Sequence, residues 1–135
     1  MATRSSPAAA THVLDASAIL ALLLAEPGGE RVDAAGPTAL VSTVNLSEVV
    51  AKMLDRGASL DAVLQRLRRF PFTVAAFDRD RAEKAGALRD RTREGNISFA
   101  DRACLALALE NGLPVLTGDR KWAELDLPIE IRLIR

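Results

Sequence analysis

Four acidic residues stand at the edges of apolar segments rather than inside solvated charge runs: Asp15, Glu48, Asp101 and Asp119. Asp15 interrupts Val13-Leu14-Asp15-Ala16-Ser17-Ala18-Ile19-Leu20, and Asp119 closely follows Pro114-Val115-Leu116-Thr117. Glu48 and Asp101 each fall in the first turn of an expected helix. Carboxylates brought close together repel one another and are costly unless a cation shares them. Oxygen-only ligands favour hard cations such as Mg²⁺ or Mn²⁺. The chemistry such a set points to is metal-assisted attack of water on a phosphodiester. Ser17 and Thr117 lie two residues from Asp15 and Asp119, where a hydroxyl can orient a carboxylate or a metal-bound water.

Each residue also has a plainer reading. Asn45-Leu46-Ser47-Glu48 and Ser98-Phe99-Ala100-Asp101 both fit helix capping boxes, the second with Asp in place of the usual Glu. Asp15 or Ser17 can cap the first helix, Asp119 can serve a Gly-Asp turn, and Thr117 suits a strand. Asn45 reads better as a cap than as a ligand. Taken singly, capping accounts for Glu48 and Asp101 at least as well as metal binding does. Four acids at one rim favour a shared purpose. The positive end of a helix dipole also favours an ionised carboxylate, the form a divalent cation requires.

These residues gain meaning from the elements that must position them. Apolar runs and helical periodicities alternate along the chain. Strands are expected at Thr11–Leu14, Ala39–Ser42, Phe72–Ala76, Val115–Thr117 and Ile129–Leu133. Helices are expected at Ser17–Leu24, Glu30–Ala35 and Asn45–Arg56, then after Ser59 with Leu60, Val63, Leu64 and Leu67 on one face. A charged helix follows from Asp78 to about Arg93, and an apolar one from Ser98 to Asn111, stopped by Gly112. A short turn spans Lys121 to Leu125. Alternating strands and helices imply a parallel sheet covered on both faces. Ligands of open sheets bind beyond the carboxyl ends of the strands, where the strand order switches. Asp15 and Asp119 stand just past two such ends.

The 135 residues fit one domain, with enough apolar content, 49%, for a core. Formal net charge is zero, so no global electrostatic signature of nucleic-acid binding exists. Bases outnumber acids between Lys52 and Arg102, mostly as solvated helix faces. Cys104 is the only cysteine, which excludes an intrachain disulfide and fits a reducing, cytoplasmic setting. Arg4 precedes an apolar stretch reaching Ala25, but Asp15 lies within it and the run is too short for a bilayer. The expectation is a protein without a membrane segment, whose residues 1–10 form a loose tail.

Other candidates are weaker. His12 is the only histidine, and a lone strand histidine is usually structural. Cys104 reads as a small buried hydrophobe, and Trp122 as a lid on the sheet edge. No Walker A loop and no Gly-x-Gly-x-x-Gly occurs.

Together the segments Val13-Leu14-Asp15-Ala16-Ser17-Ala18, Asn45-Leu46-Ser47-Glu48-Val49, Ile97-Ser98-Phe99-Ala100-Asp101-Arg102-Ala103-Cys104-Leu105-Ala106-Leu107-Ala108 and Leu116-Thr117-Gly118-Asp119-Arg120-Lys121-Trp122 resemble the PIN-domain family. The likeness is greatest to VapC-type toxins of bacterial toxin–antitoxin pairs. It covers nearly the whole chain after the tail, although Leu60 to Glu94 carries no diagnostic residue. The resemblance implies a three-layer α/β/α fold around a five-stranded parallel sheet and a Mg²⁺- or Mn²⁺-dependent ribonuclease acting on RNA. Asp15, Glu48, Asp101 and Asp119 match the family's acidic positions, and Ser17 and Thr117 the polar positions beside them. It further implies a VapB-like antitoxin partner and a homodimer. The competing readings are a PIN-type housekeeping nuclease outside such a pair, a phosphatase of the haloacid dehalogenase type, and a binding module whose acids are only caps. The phosphatase motif wants a second Asp where Ser17 stands.

Overall fold

The computed structural model describes residues 9–135, so most of the expected tail lies outside the described residues. Five strands form one all-parallel sheet: β1 (His12–Leu14), β2 (Ala39–Ser42), β3 (Thr73–Ala75), β4 (Val115–Thr117) and β5 (Ile131–Leu133). Their order is β3-β2-β1-β4-β5. β1 therefore pairs with β2 on one side and β4 on the other, with Val13 opposite Leu40 and Val115. The order switches between β1 and β4, the place where open sheets present ligand sites.

Side chains alternate across a strand, and the sequence uses both faces. Leu14, Val41 and Leu116 enter a core shared with α1 (Ala16–Leu23), α2 (Gly29–Ala35), α3 (Thr43–Asp55) and α4 (Leu60–Arg69). Val13, Ala75 and Val115 enter a second core with α5 (Arg79–Ala87) and α6 (Phe99–Asn111). The result is the expected three-layer α/β/α architecture. α6 is buried nearly all round from Ala103 to Ala108, which explains its apolar composition. Cys104 is fully buried within it, and Trp122 is fully buried in the second core rather than capping an edge.

Several boundaries differ from expectation. α1 begins at Ala16, capped by Asp15, and α3 begins at Thr43, capped by Ser42, whose Oγ accepts from Val44 N. Asn45 therefore lies inside α3 rather than at its cap, and Glu48 stands beyond the first turn. Its pattern matched a capping box, but the chain leaves β2 directly into the helix. The long charged helix expected to reach Arg93 stops at Ala87 and tightens into a 3₁₀ turn, Leu88–Arg91. There the hydroxyl of buried Thr92 donates to Leu88 O at 2.8 Å, and the chain turns to bring Ile97 into the core. β3 and β5 are edge strands and shorter than the apolar runs that contain them.

Gly28 enters α2 with φ of +93°, and a Cβ there would lie 2.3 Å from Ile134 O. Gly57 has a similar φ of +92° but nothing within 4 Å of a Cβ. Gly28→Ala is expected to destabilise by roughly 2 kcal/mol or more, and Gly57→Ala by about 1 kcal/mol. Urea unfolding of the two variants side by side checks this; equal losses would mean the Ile134 contact relaxes freely.

Candidate metal-binding acidic site

Two strand ends carry the centre of the site. Asp15 follows β1 and Asp119 follows Gly118 after β4, so adjacent strands bring them to the switch point. Asp15 is 5% exposed. Its Oδ1 accepts from Ala18 N at 2.9 Å, which caps α1. Ser17 Oγ contacts both carboxylate oxygens, at 2.7 and 2.9 Å, and Thr117 Oγ1 donates to Oδ2 at 2.6 Å. The same Thr117 oxygen accepts from Asp119 N at 3.0 Å, and Ser17 Oγ accepts from Gly118 N at 2.8 Å. The two hydroxyls thus tie the end of β1 to the end of β4.

Asp101 is the third residue of α6. Ser98 Oγ accepts from Asp101 N at 3.1 Å, and Ser98 N donates to Asp101 Oδ2 at 3.0 Å, a complete capping box. Glu48, on α3, faces Lys52 one turn on, 3.2 Å away. Asp119 Oδ1 accepts from Lys121 N at 3.0 Å and caps the 3₁₀ turn Arg120–Glu124. Asn45, expected as a cap, is buried between α3 and α6, where its Nδ2 donates to Ala100 O at 3.0 Å. It fastens the helix bearing Glu48 to the turn bearing Asp101.

Three of the four acids therefore do cap, as the plainer reading held. Capping does not explain the burial of Asp15, since an exposed Ser or Asn would cap as well. Burial pushes the Asp15 carboxyl up to about 6, against the hydrogen bonds from Thr117, Ser17 and Ala18, and the charge of Asp101 adds to the rise. Asp101 is also raised, chiefly by burial and further by Glu48 and Asp119, while its bonds to Ser98 pull it down. The thiol of Cys104 is raised by burial and then by Asp15, Asp101 and Glu48. The four carboxylates thus share one electrostatic neighbourhood. His12 lies at the other end of β1, hydrogen-bonded to Thr11 and Arg132, and has no part in it.

Among the described residues, no three His, Cys, Asp or Glu side chains are so arranged that they could hold a metal ion as they stand. Glu48 is turned to Lys52, while one oxygen of Asp101 accepts from Ser98 N and one of Asp119 from Lys121 N. Lys52 is exposed and Glu48 partly so, and a pair of this kind is worth little, so a cation can compete for it. The donor set fits a hard divalent cation on two grounds. All its atoms are oxygens, and its central carboxylate is so deeply buried that its ionisation carries a free-energy cost that positive charge beside it would offset. Sequence reasoning assigned nothing to Arg135, whose Nη2 would lie 3.0 Å from a Cβ on Gly118. No pattern around Arg135 could have marked it.

A model of the PIN domain matches residues 12–127, and the chain belongs to the PIN-domain family. No curated protein matches it in sequence. Solved structures share the fold. A chain of the DNA-bound VapBC complex from Salmonella typhimurium is 20% identical with a TM-score of 0.71, covering 93% of this chain and 99% of that one. VapC20 of Mycobacterium tuberculosis, a sarcin–ricin loop cleaving toxin, is 20% identical with a TM-score of 0.70, covering 89% and 99%. VapBC-5 from the same organism, a member of the VapBC family of toxin–antitoxin systems, is 26% identical with a TM-score of 0.60, covering 93% and 98%. The fold and family expected from the four motifs are the ones found. No helix among the described residues is long and apolar enough to cross a membrane.

The raised Asp15 carboxyl has a thermodynamic sign. The folded chain holds this proton more tightly than the unfolded chain, whose carboxyl titrates near 3.8. The stability that the protonated form contributes is complete below 3.8 and lost as pH climbs through about 6. Without divalent cation, ionised Asp15 then costs on the order of 3 kcal/mol at neutral pH. Asp15→Asn retains a capping oxygen, so it is expected to stabilise the metal-free protein at pH 7 and to flatten its pH dependence between 4 and 6. Urea midpoints at the two ends of that window test this; an unchanged slope in the variant would assign the proton uptake elsewhere.

Proposed function

We propose that this PIN-domain chain is a Mg²⁺- or Mn²⁺-dependent ribonuclease and the toxin of a toxin–antitoxin pair. The observation that carries the reading is the buried Asp15 carboxylate at the switch point, held by two hydroxyls and costly to ionise alone. Membership of the PIN family and the likeness of the fold to VapC structures support it.

In this reading Asp15 is the central ligand, Asp101 and Asp119 complete the set, and Glu48 leaves Lys52 to join them. Ser17 and Thr117 hold the Asp15 oxygens in place, so its free lone pairs keep one direction. The capping bonds on Asp101 and Asp119 keep both carboxylates at helix starts, where the dipole favours the ionised form. When bound, the cation would supply Lewis-acid activation of water and neutralise charge on the phosphate. No histidine base is needed, which agrees with His12 lying at the far end of its strand. The phosphodiester of RNA is attacked in line by water, and the cut leaves a 5′-phosphate and a 3′-hydroxyl.

A VapB-like antitoxin is proposed as the partner that restrains the activity, and a homodimer as the assembled form. The complexes of Salmonella typhimurium and of Klebsiella pneumoniae, the latter a toxin–antitoxin complex, are the ground for the partner.

Mn²⁺ at about a hundred times its Kd is expected to stabilise the protein by about 2.7 kcal/mol, and Asp15→Asn to abolish that gain. The same variant and Asp101→Asn should lower RNA cleavage at least about a hundredfold while leaving the fold intact. Cleavage gels and thermal unfolding with and without Mn²⁺ make the measurement. Full Mn²⁺-dependent cleavage by Asp15→Asn would remove Asp15 from the centre of the site.

A further inference from the structure

We propose that Lys52, Arg56 and Arg135 form a subsite for a backbone phosphate of RNA adjacent to the one that is cut. The inference rests on the nuclease reading and adds where the substrate strand is gripped.

A cavity of about 350 Å³ opens beside the carboxylates. Ser17 belongs to its wall and to the site at once, because its Oγ contacts Asp15 at 2.7 Å. Leu20 and Leu24 give the cavity an apolar floor, and Lys52, Arg56 and Arg135 stand round it. Lys52 spans the gap between cavity and site through its 3.2 Å contact with Glu48. Arg135 is seated by a bond from Nη1 to Pro27 O at 3.1 Å, with its guanidinium laid against Gly118. Any side chain at position 118 would meet that guanidinium, so the bare turn between Thr117 and Asp119 admits a cation at the rim.

Glu26 and Asp55 also line the cavity. Glu26 lies 3.7 Å from Arg135 Nη1, a long and solvated pair. No ion pair engages Arg56 among the described residues. The balance of the lining is one positive charge, next to a rim that is strongly negative.

That contrast identifies the ligand. An RNA strand crossing the rim carries its reacting phosphate into four carboxylates, where a divalent cation is needed. Its neighbouring phosphate finds no such ion, and cationic side chains that meet it would displace its mobile counterions. Flexible Lys and Arg side chains on a concave wall suit a phosphate, and Leu20 and Leu24 suit a ribose or base edge beneath it. Were Glu48 to hold a metal, Lys52 would lose its 3.2 Å partner and be free to face the cavity.

The test uses the full chain and a short labelled single-stranded RNA. Anisotropy in a chelator reads binding without cleavage; steady-state cleavage with Mn²⁺ separates KM from kcat. The double variant Arg56→Ala, Arg135→Ala is expected to weaken binding and raise KM roughly tenfold, and to reduce the slope of log Kd against log salt by about one to two. Its kcat should stay within about twofold of the parent. Because Arg135 also holds Pro27, Arg56→Glu serves as an independent variant with no fold contact to lose, and should weaken binding at least as much. Unchanged binding and salt slope in both variants overturns the subsite while leaving the nuclease reading standing. A fall in kcat at constant KM overturns it too, placing these cations at the reacting phosphate. A parent protein that neither binds nor cleaves RNA overturns both.

Discussion

A single buried carboxylate organises this molecule. Asp15 sits at the end of the central strand, almost out of solvent, in a position where charge is costly. Three donors, the hydroxyls of Ser17 and Thr117 and the N–H of Ala18, bond its oxygens without neutralising it. Satisfaction and neutralisation are different requirements. Hydrogen bonds meet the first, and only a proton or a cation meets the second. The fold therefore carries an unmet electrostatic demand at its centre, and the surrounding acids increase it rather than relieve it.

Capping is compatible with the ligation proposed for the same residues. Asp15, Asp101 and Asp119 each take backbone N–H groups at the start of a helical turn. Those bonds fix where the carboxylates stand and leave lone pairs free. On the proposed reading the ligands are positioned by the secondary structure itself, with little side-chain freedom left to lose. Glu48 is the exception. It lies past the first turn of α3 and is held by an exposed lysine, so it is the member best able to change partners.

The two cores keep the rim in register. Alternation along β1 and β4 sends Val13 and Val115 to one helical layer, and Leu14 and Leu116 to the other. Both strands are clamped from two sides immediately before the residues that matter. Asn45 adds a polar bond across α3 and α6, buried where a slip of either helix would move Glu48 relative to Asp101. The family to which the chain belongs is thus visible in sequence as four short motifs, and in space as one corner of a sheet.

Much was decided locally and could be read from the chain alone. The five strand positions, the parallel sheet, the Ser98–Asp101 capping box and the Gly112 stop follow from periodicity and from the conformations particular residues allow. The candidate acids were legible because each breaks an apolar pattern. The start of α3 was not: Ser42 and Asn45 are both good caps, and only the path of the chain out of β2 chooses Ser42. Nor was the partition of roles among Asp15, Ser17 and Thr117, which depends on β1 lying beside β4 across a long loop of sequence. Arg135 reached the site with no sequence mark at all. Local propensity acts over a few residues and leaves its trace in the letters. The raised Asp15 carboxyl and the cation at the rim come from burial and from distances between remote segments, and those exist only once the chain has folded.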